Sequence, residues 1–248
     1  MPHTALKLVQ HPALYAALLA LFLLDRTASA AEPYRTLPPS GDVPHPAVLL
    51  VPGCSGFAAT SGVNIYEERA AELQAAGYLV VFVDYVGLRM QNNCAHISQA
   101  EVSADIIEAT AWVKDQSGVD ASRISVIGWS YGGGGVLAAL KAMPAAPPIA
   151  KAVMYYPVCR GAGPWSAGVA ALMLLGGIDD IALPTLCEAV VKGMASDKLR
   201  AITYPNARHG FDMRGLPERA DLPSGSPSYN AEAANASWLT VLSFLREP

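Results

Sequence analysis

Short apolar runs, each broken by a turn rich in glycine or proline, alternate along this chain with longer segments whose apolar positions recur at helical spacing. The run over 47–51 (Ala-Val-Leu-Leu-Val) shows no polar alternation, the pattern of a strand buried on both faces. Further strands are predicted over 78–84, 123–128, 152–156, 171–175 and 199–204. Between them the pattern predicts helices over 64–76, closed by Gly77, then 99–116, 131–142, 186–195 and 229–245. In the second of these Val102, Ile106, Ala109 and Val113 share one face. The proline-rich lead-in over 34–46 leaves room for one edge strand. Strands and helices alternating in this way predict an α/β fold, a mostly parallel sheet with helices on both faces. In such a fold the reactive loops gather at the carboxyl ends of the strands.

Composition narrows the picture. With 248 residues, 52% of them hydrophobic, the chain can bury a sizeable core as one domain, expected over 31–248. A net charge of -4 without runs of like charge leaves no electrostatic footprint for nucleic acid.

Residues 1–30 read as an export signal. Lys7 and His11 precede the apolar stretch 13–24, and Thr27-Ala28-Ser29-Ala30-Ala31 offers a small-x-small cleavage site after Ala30. That stretch falls short of the roughly 20 residues needed to span a bilayer, so no stable span is expected after cleavage. The mature protein is therefore expected in the periplasm or outside the cell. An oxidising compartment permits disulfides. Cys54, Cys94, Cys159 and Cys187 each follow a predicted strand. Of the possible pairings, Cys54–Cys94 with Cys159–Cys187 is preferred, and free buried thiols are the alternative.

Candidate chemistry centres on Gly128-Trp129-Ser130-Tyr131-Gly132. This Gly-x-Ser-x-Gly string lies between a buried-type strand and an apolar helix, the context of a nucleophile elbow. A side chain on either flanking glycine would collide with neighbouring backbone in so tight a turn. A serine hydroxyl needs a base, and histidine titrates in the useful range. Among the five histidines only His209 lies downstream of Ser130, as the chain order nucleophile, acid, base requires. The acid should follow a strand between them. Gly176-Gly177-Ile178-Asp179-Asp180 does so, and two adjacent side chains cannot both face His209. Asp197 and Asp212 fit less well. Two backbone donors, the N–H groups of Cys54 and Tyr131, are the expected oxyanion hole.

These residues resemble the dienelactone hydrolase family of α/β-hydrolases, from about Ala47 to the C-terminal helix. The resemblance is carried by Pro52-Gly53-Cys54-Ser55-Gly56, by Gly128-Trp129-Ser130-Tyr131-Gly132-Gly133, by Gly176-Gly177-Ile178-Asp179-Asp180 with Cys187 downstream, and by Tyr204-Pro205-Asn206-Ala207-Arg208-His209-Gly210-Phe211. The family pattern places its catalytic aspartate three residues after the first glycine and so selects Asp179; counting back from Pro184 would select Asp180. The founding enzymes of the family use a cysteine nucleophile and a glutamate in the oxyanion loop. Here serine stands at the nucleophile position and that loop holds no glutamate.

The resemblance implies a serine hydrolase that cleaves small-molecule carboxylic esters or lactones through an acyl-enzyme, with neither metal nor organic cofactor. Family members that take anionic substrates bind the carboxylate through arginines, and Arg89 and Arg214 occupy loosely comparable loops. Trp165 is a candidate for an apolar substrate contact. A cutinase-like polyester hydrolase and a non-catalytic binding protein on the same fold are the rival expectations.

Overall fold

A computed structural model of the protein describes residues 32–58, 60–144, 146–163, 168–194, 197–218 and 223–247. The expected export signal over 1–30 and Trp165 lie outside the described residues. Tyr34–Pro248 forms one compact unit.

Its strands are β1 (Arg35–Leu37), β2 (His45–Val51), β3 (Leu79–Phe82), β4 (Val119–Trp129), β5 (Lys151–Tyr155), β6 (Ala170–Gly176) and β7 (Leu199–Tyr204). Its helices are α1 (Ile65–Ala75), α2 (Gln99–Lys114), α3 (Tyr131–Ala142), α4 (Pro184–Met194) and α5 (Ala231–Arg246). The strands form one sheet in the order β1-β3-β2-β4-β5-β6-β7. Every pairing is parallel except the antiparallel edge strand β1 on β3. This is the architecture predicted from the alternation of patterns.

Successive residues of a strand face opposite sides of the sheet, and both sides are apolar here. Val48, Leu50, Ile127, Val153 and Leu172 pack with Ile65 and Leu73 of α1 and with Trp238, Val241 and Phe244 of α5. Ala47, Leu49, Val51, Val126, Ala152 and Met173 face the other way, onto Val102 and Ile106 of α2, Val136 and Leu140 of α3, and Cys187 and Val190 of α4. The sheet is thus covered on both faces.

Side-chain caps start three of the helices. Asn64 accepts from the N–H groups of Tyr66 and Glu67, and Asn230 accepts from Ala233. Ser98 and Glu101 form a reciprocal capping box at the start of α2. The predicted helix over 229–245 therefore begins two residues later than its pattern suggested. β4 begins earlier than predicted, because Val119 pairs with His45 across a register shift in β2. A short 3-10 turn, Gly87–Arg89, was not foreseen. Among the described residues no helix is long and apolar enough to cross a membrane.

Candidate active site

β4 ends at Trp129, and Ser130 sits on the turn into α3 with φ of 50°. That backbone conformation is strained for any residue bearing a Cβ. It is held by neighbours: Ser130 N–H donates to Tyr155 O at 2.9 Å, and Ser130 O accepts from Gly134 at 3.0 Å and Val158 at 3.3 Å. The flanking glycines make the turn possible. A Cβ on Gly128 would lie 2.9 Å from Gly132 O, and one on Gly132 would lie 2.2 Å from Pro52 O. α3 therefore starts pressed against the end of β2, with the serine side chain at the carboxyl edge of the sheet.

His209 comes from the loop after β7, and its Nε2 lies 2.8 Å from Ser130 Oγ. Its Nδ1 lies 2.8 Å from Asp179 Oδ2, in the loop after β6. Asp179 is 3% exposed, and its Oδ1 accepts from the N–H groups of Ile181 and Ala182, both at 2.9 Å. Its carboxylate is thus fixed by three contacts. A carboxylate accepting from Nδ1–H leaves Nε2 as the acceptor that a serine hydroxyl needs. Asp180 faces elsewhere: it accepts from Ser224 Oγ at 2.7 Å and Gly225 N–H at 2.8 Å, and pairs with Arg208 at 3.6 Å. Of the two aspartates left open by the sequence, the structure brings Asp179 to the histidine.

The loop after β2 passes directly beside the serine. A Cβ on Gly53 would stand in ordinary contact with Ser130 Cβ, at 3.7 Å, and more tightly against Tyr66 Oη, at 3.3 Å. This loop is clamped by two buried tyrosines. Gly53 N–H donates to Tyr66 Oη and Gly53 O accepts from Tyr85 Oη, each at 2.9 Å. Burial pushes both phenols well above the ordinary tyrosine range, so they stay protonated and keep these roles. Tyr131 is the first residue of α3, and its N–H has no intrahelical acceptor. Two disulfides are formed, Cys54–Cys94 and Cys159–Cys187, the preferred pairing. Their sequence separations of 40 and 28 make each worth about 4 kcal/mol in the chain-entropy view.

One group here was not anticipated. Asp212, judged a poor candidate from sequence, is fully buried three residues after His209. It accepts from Trp129 Nε1 at 2.8 Å and Tyr156 Oη at 2.5 Å. Burial raises its carboxyl pKa, and the Tyr156 and Trp129 donors oppose that rise. The Tyr156 ring lies 4.6 Å from the His209 ring, at a residue with φ of 34°. A single carboxylate therefore joins the residue before the serine to the ring beside His209. The sequence did hold a signal. Trp129 ends β4 and Tyr156 directly follows β5, and buried indole N–H and phenol groups need acceptors.

The tentative substrate contacts fare differently. Arg89 binds Asp105 at 2.5 and 3.1 Å and lies 3.6 Å from Glu101. Arg214 pairs with Glu68 of α1. Both guanidinium groups thus pair with the protein's own carboxylates.

The dienelactone hydrolase family model matches residues 34–248. An Escherichia coli protein, described as an uncharacterized 31.7 kDa protein in the traX-finO intergenic region, is 30% identical over 102 residues, 41% of this chain. The match spans about a third (34%) of that relative's length. Among solved structures, a Klebsiella pneumoniae subsp. pneumoniae protein assigned as a dienelactone hydrolase superposes with a TM-score of 0.67 at 20% identity, covering 84% of this chain and 90% of its own. A dienelactone hydrolase-like promiscuous phosphotriesterase from metagenomic libraries gives 0.63 at 22% identity, over 83% and 87% of the two chains. A thermophilic esterase from Thermogutta terrifontis gives 0.58 at 14%, over 87% and 91%. At these identities the likeness is one of fold.

Proposed function

The chain belongs to the dienelactone hydrolase family, and from that premise we propose that it is an exported serine hydrolase cleaving carboxylic esters or lactones. The observation that carries this reading is the unbroken hydrogen-bonded line from Asp179 through His209 to Ser130, both contacts at 2.8 Å. Ser130 Oγ attacks the ester carbonyl while His209 Nε2 takes its proton. Asp179 holds the imidazole in the required tautomer and stabilises the imidazolium. The Cys54 and Tyr131 amides receive the negative charge that develops on the carbonyl oxygen. His209 then protonates the leaving alcohol, and water repeats the sequence on the acyl-enzyme.

A serine nucleophile and an oxyanion loop without glutamate favour general esters and lactones over dienelactone itself. The two disulfides favour an oxidising compartment, periplasmic or extracellular, because cytosolic thiols are kept reduced. Replacing Ser130→Ala is expected to lower p-nitrophenyl acetate hydrolysis by several orders of magnitude and to abolish labelling by a fluorophosphonate probe. A variant that hydrolyses at the parental rate overturns the assignment. A parent protein that resists the probe favours a non-catalytic binding role instead.

A further inference from the structure

The connection between β3 and α2 plays no part in the mechanism above, yet two of its residues and the first residue of α2 contact the two residues whose amides are assigned to the oxyanion. Cys94 is bonded through sulfur to Cys54, and its own N–H points at Cys54 Sγ at 3.2 Å. Ile97 O accepts from the Tyr131 phenol. Gln99 Nε2 donates to Tyr131 O at 3.2 Å. Cys54 and Tyr131 are far apart in sequence and leave different strands, β2 and β4. Each is fastened to the same short segment, 94–99.

That segment is itself well anchored. Ile97 is 3% exposed, and its N–H donates to Cys94 O at 3.0 Å. The Ser98 and Glu101 capping box then locks its junction with α2. Upstream, Arg89 donates to Tyr85 O at 3.0 Å and binds Asp105 on α2, securing the start of the connection. The glycines of α3 leave room for Gln99: a Cβ on Gly134 would stand 2.8 Å from Gln99 Nε2.

We propose that the 94–99 segment is the positioning element of the oxyanion hole, tying both donor residues to one base and fixing the separation and aim of their N–H groups. The inference rests on the reading of the Cys54 and Tyr131 amides as oxyanion donors. None of Cys94, Ile97 and Gln99 needs to touch substrate. Their contribution is alignment, which matters because donors must meet the oxygen where it sits in the transition state, not in the ground state.

The test compares the two disulfides. A C54A/C94A double variant keeps both backbone amides but cuts the tie, and C159A/C187A removes a cross-link of similar loop size elsewhere. With p-nitrophenyl acetate, at a temperature where circular dichroism shows every variant folded, C54A/C94A is expected to lower kcat about tenfold to hundredfold with KM within about threefold. The inhibition constant of a trifluoromethyl ketone, which mimics the tetrahedral adduct, should weaken in parallel. C159A/C187A should lower Tm yet leave kcat within about twofold of the parent. Tyr131→Phe and Gln99→Leu, which keep the disulfide, should each weaken kcat and ketone binding together by about threefold to tenfold.

A folded C54A/C94A protein with parental kcat and ketone affinity reduces the segment to a structural staple and overturns the proposal. Should that variant fail to fold, parental values in both Tyr131→Phe and Gln99→Leu overturn it equally. Failure of the oxyanion reading itself looks different: the parent enzyme would then bind the ketone no better than its ester substrate.

Discussion

His209 and Asp179 leave β7 and β6 and are held by hydrogen bonds, whereas the Gly53-Cys54 loop leaves β2 and is cross-linked to the segment ahead of α2. On the first side Asp179 receives three contacts, and Asp212 ties Trp129 to the ring packed on His209. On the second a disulfide, two buried tyrosines and a helix cap hold backbone in place. Under the proposed function, the difference follows from what each side must do. Proton transfer needs a chain of groups with defined donor and acceptor direction, and only hydrogen bonds set direction. An oxyanion hole needs amides that do not move, and a covalent tie serves that purpose where thiols stay oxidised.

The widest separation is expected between the neighbouring aspartates. Asp179→Asn should reduce kcat/KM by about ten-thousandfold, because the amide favours the wrong imidazole tautomer. Asp180→Asn, which among the described residues alters contacts to Ser224, Gly225 and Arg208, should stay within about threefold. Steady-state kinetics on both variants decides whether direction of hydrogen bonding is what the base side supplies.

Next comes Asp212. Asp212→Ala leaves the Trp129 indole and Tyr156 phenol without their acceptor in a buried setting and should cost about 3–5 kcal/mol of unfolding free energy. Asp212→Asn should recover much of this, since the amide oxygen can accept from Trp129 while its NH2 group donates to Tyr156. Urea titrations give both numbers, and equal losses in the two variants would remove hydrogen bonding as the reason.

The smallest effect is in pH, and the two sides should differ in sign. Burial raises the Asp212 pKa, so its stabilising contribution is complete below the unfolded value and is lost as pH rises through the folded one. The Ser98 backbone and hydroxyl lower the Glu101 pKa, so the cap contributes above the ordinary glutamate value and is lost as pH falls through the lowered one. Urea midpoints between about pH 3 and 6 for Asp212→Asn and Glu101→Gln should therefore diverge from the parent in opposite directions along the pH axis.

Much of the fold was legible because the strands are buried on both faces and announce themselves as unbroken apolar runs. β7 and α3 fall where their patterns placed them. β4 was cut short in the prediction because Asp120 and Ser122 are polar, yet that part of the strand extends the sheet at a half-exposed margin. The contact between Ser130 and His209 could be anticipated from motif and chain order. Asp179 could not be separated from Asp180 by composition, since only the path of the loop decides which carboxylate turns inward. Asp212 was passed over for a related reason. A carboxylate in a loop reads as solvated, and its burial comes from aromatic residues brought together across the sheet. The ion pairs of Arg89 with Asp105 and of Arg214 with Glu68 were not legible either, as the carboxylate partners lie on other elements of the fold.

The contact between Gly132 and the end of β2 has a consequence for how such a protein can change over generations. A hydroxyl and a thiol differ by one atom on the same Cβ, so an exchange at position 130 would alter the side chain and keep the turn that carries it. A single methyl added at 132, 2.2 Å from Pro52 O, would pry the helix from the strand and carry the reactive residue away from its loop. The backbone at Gly132 is therefore less open to substitution than the side chain two residues before it.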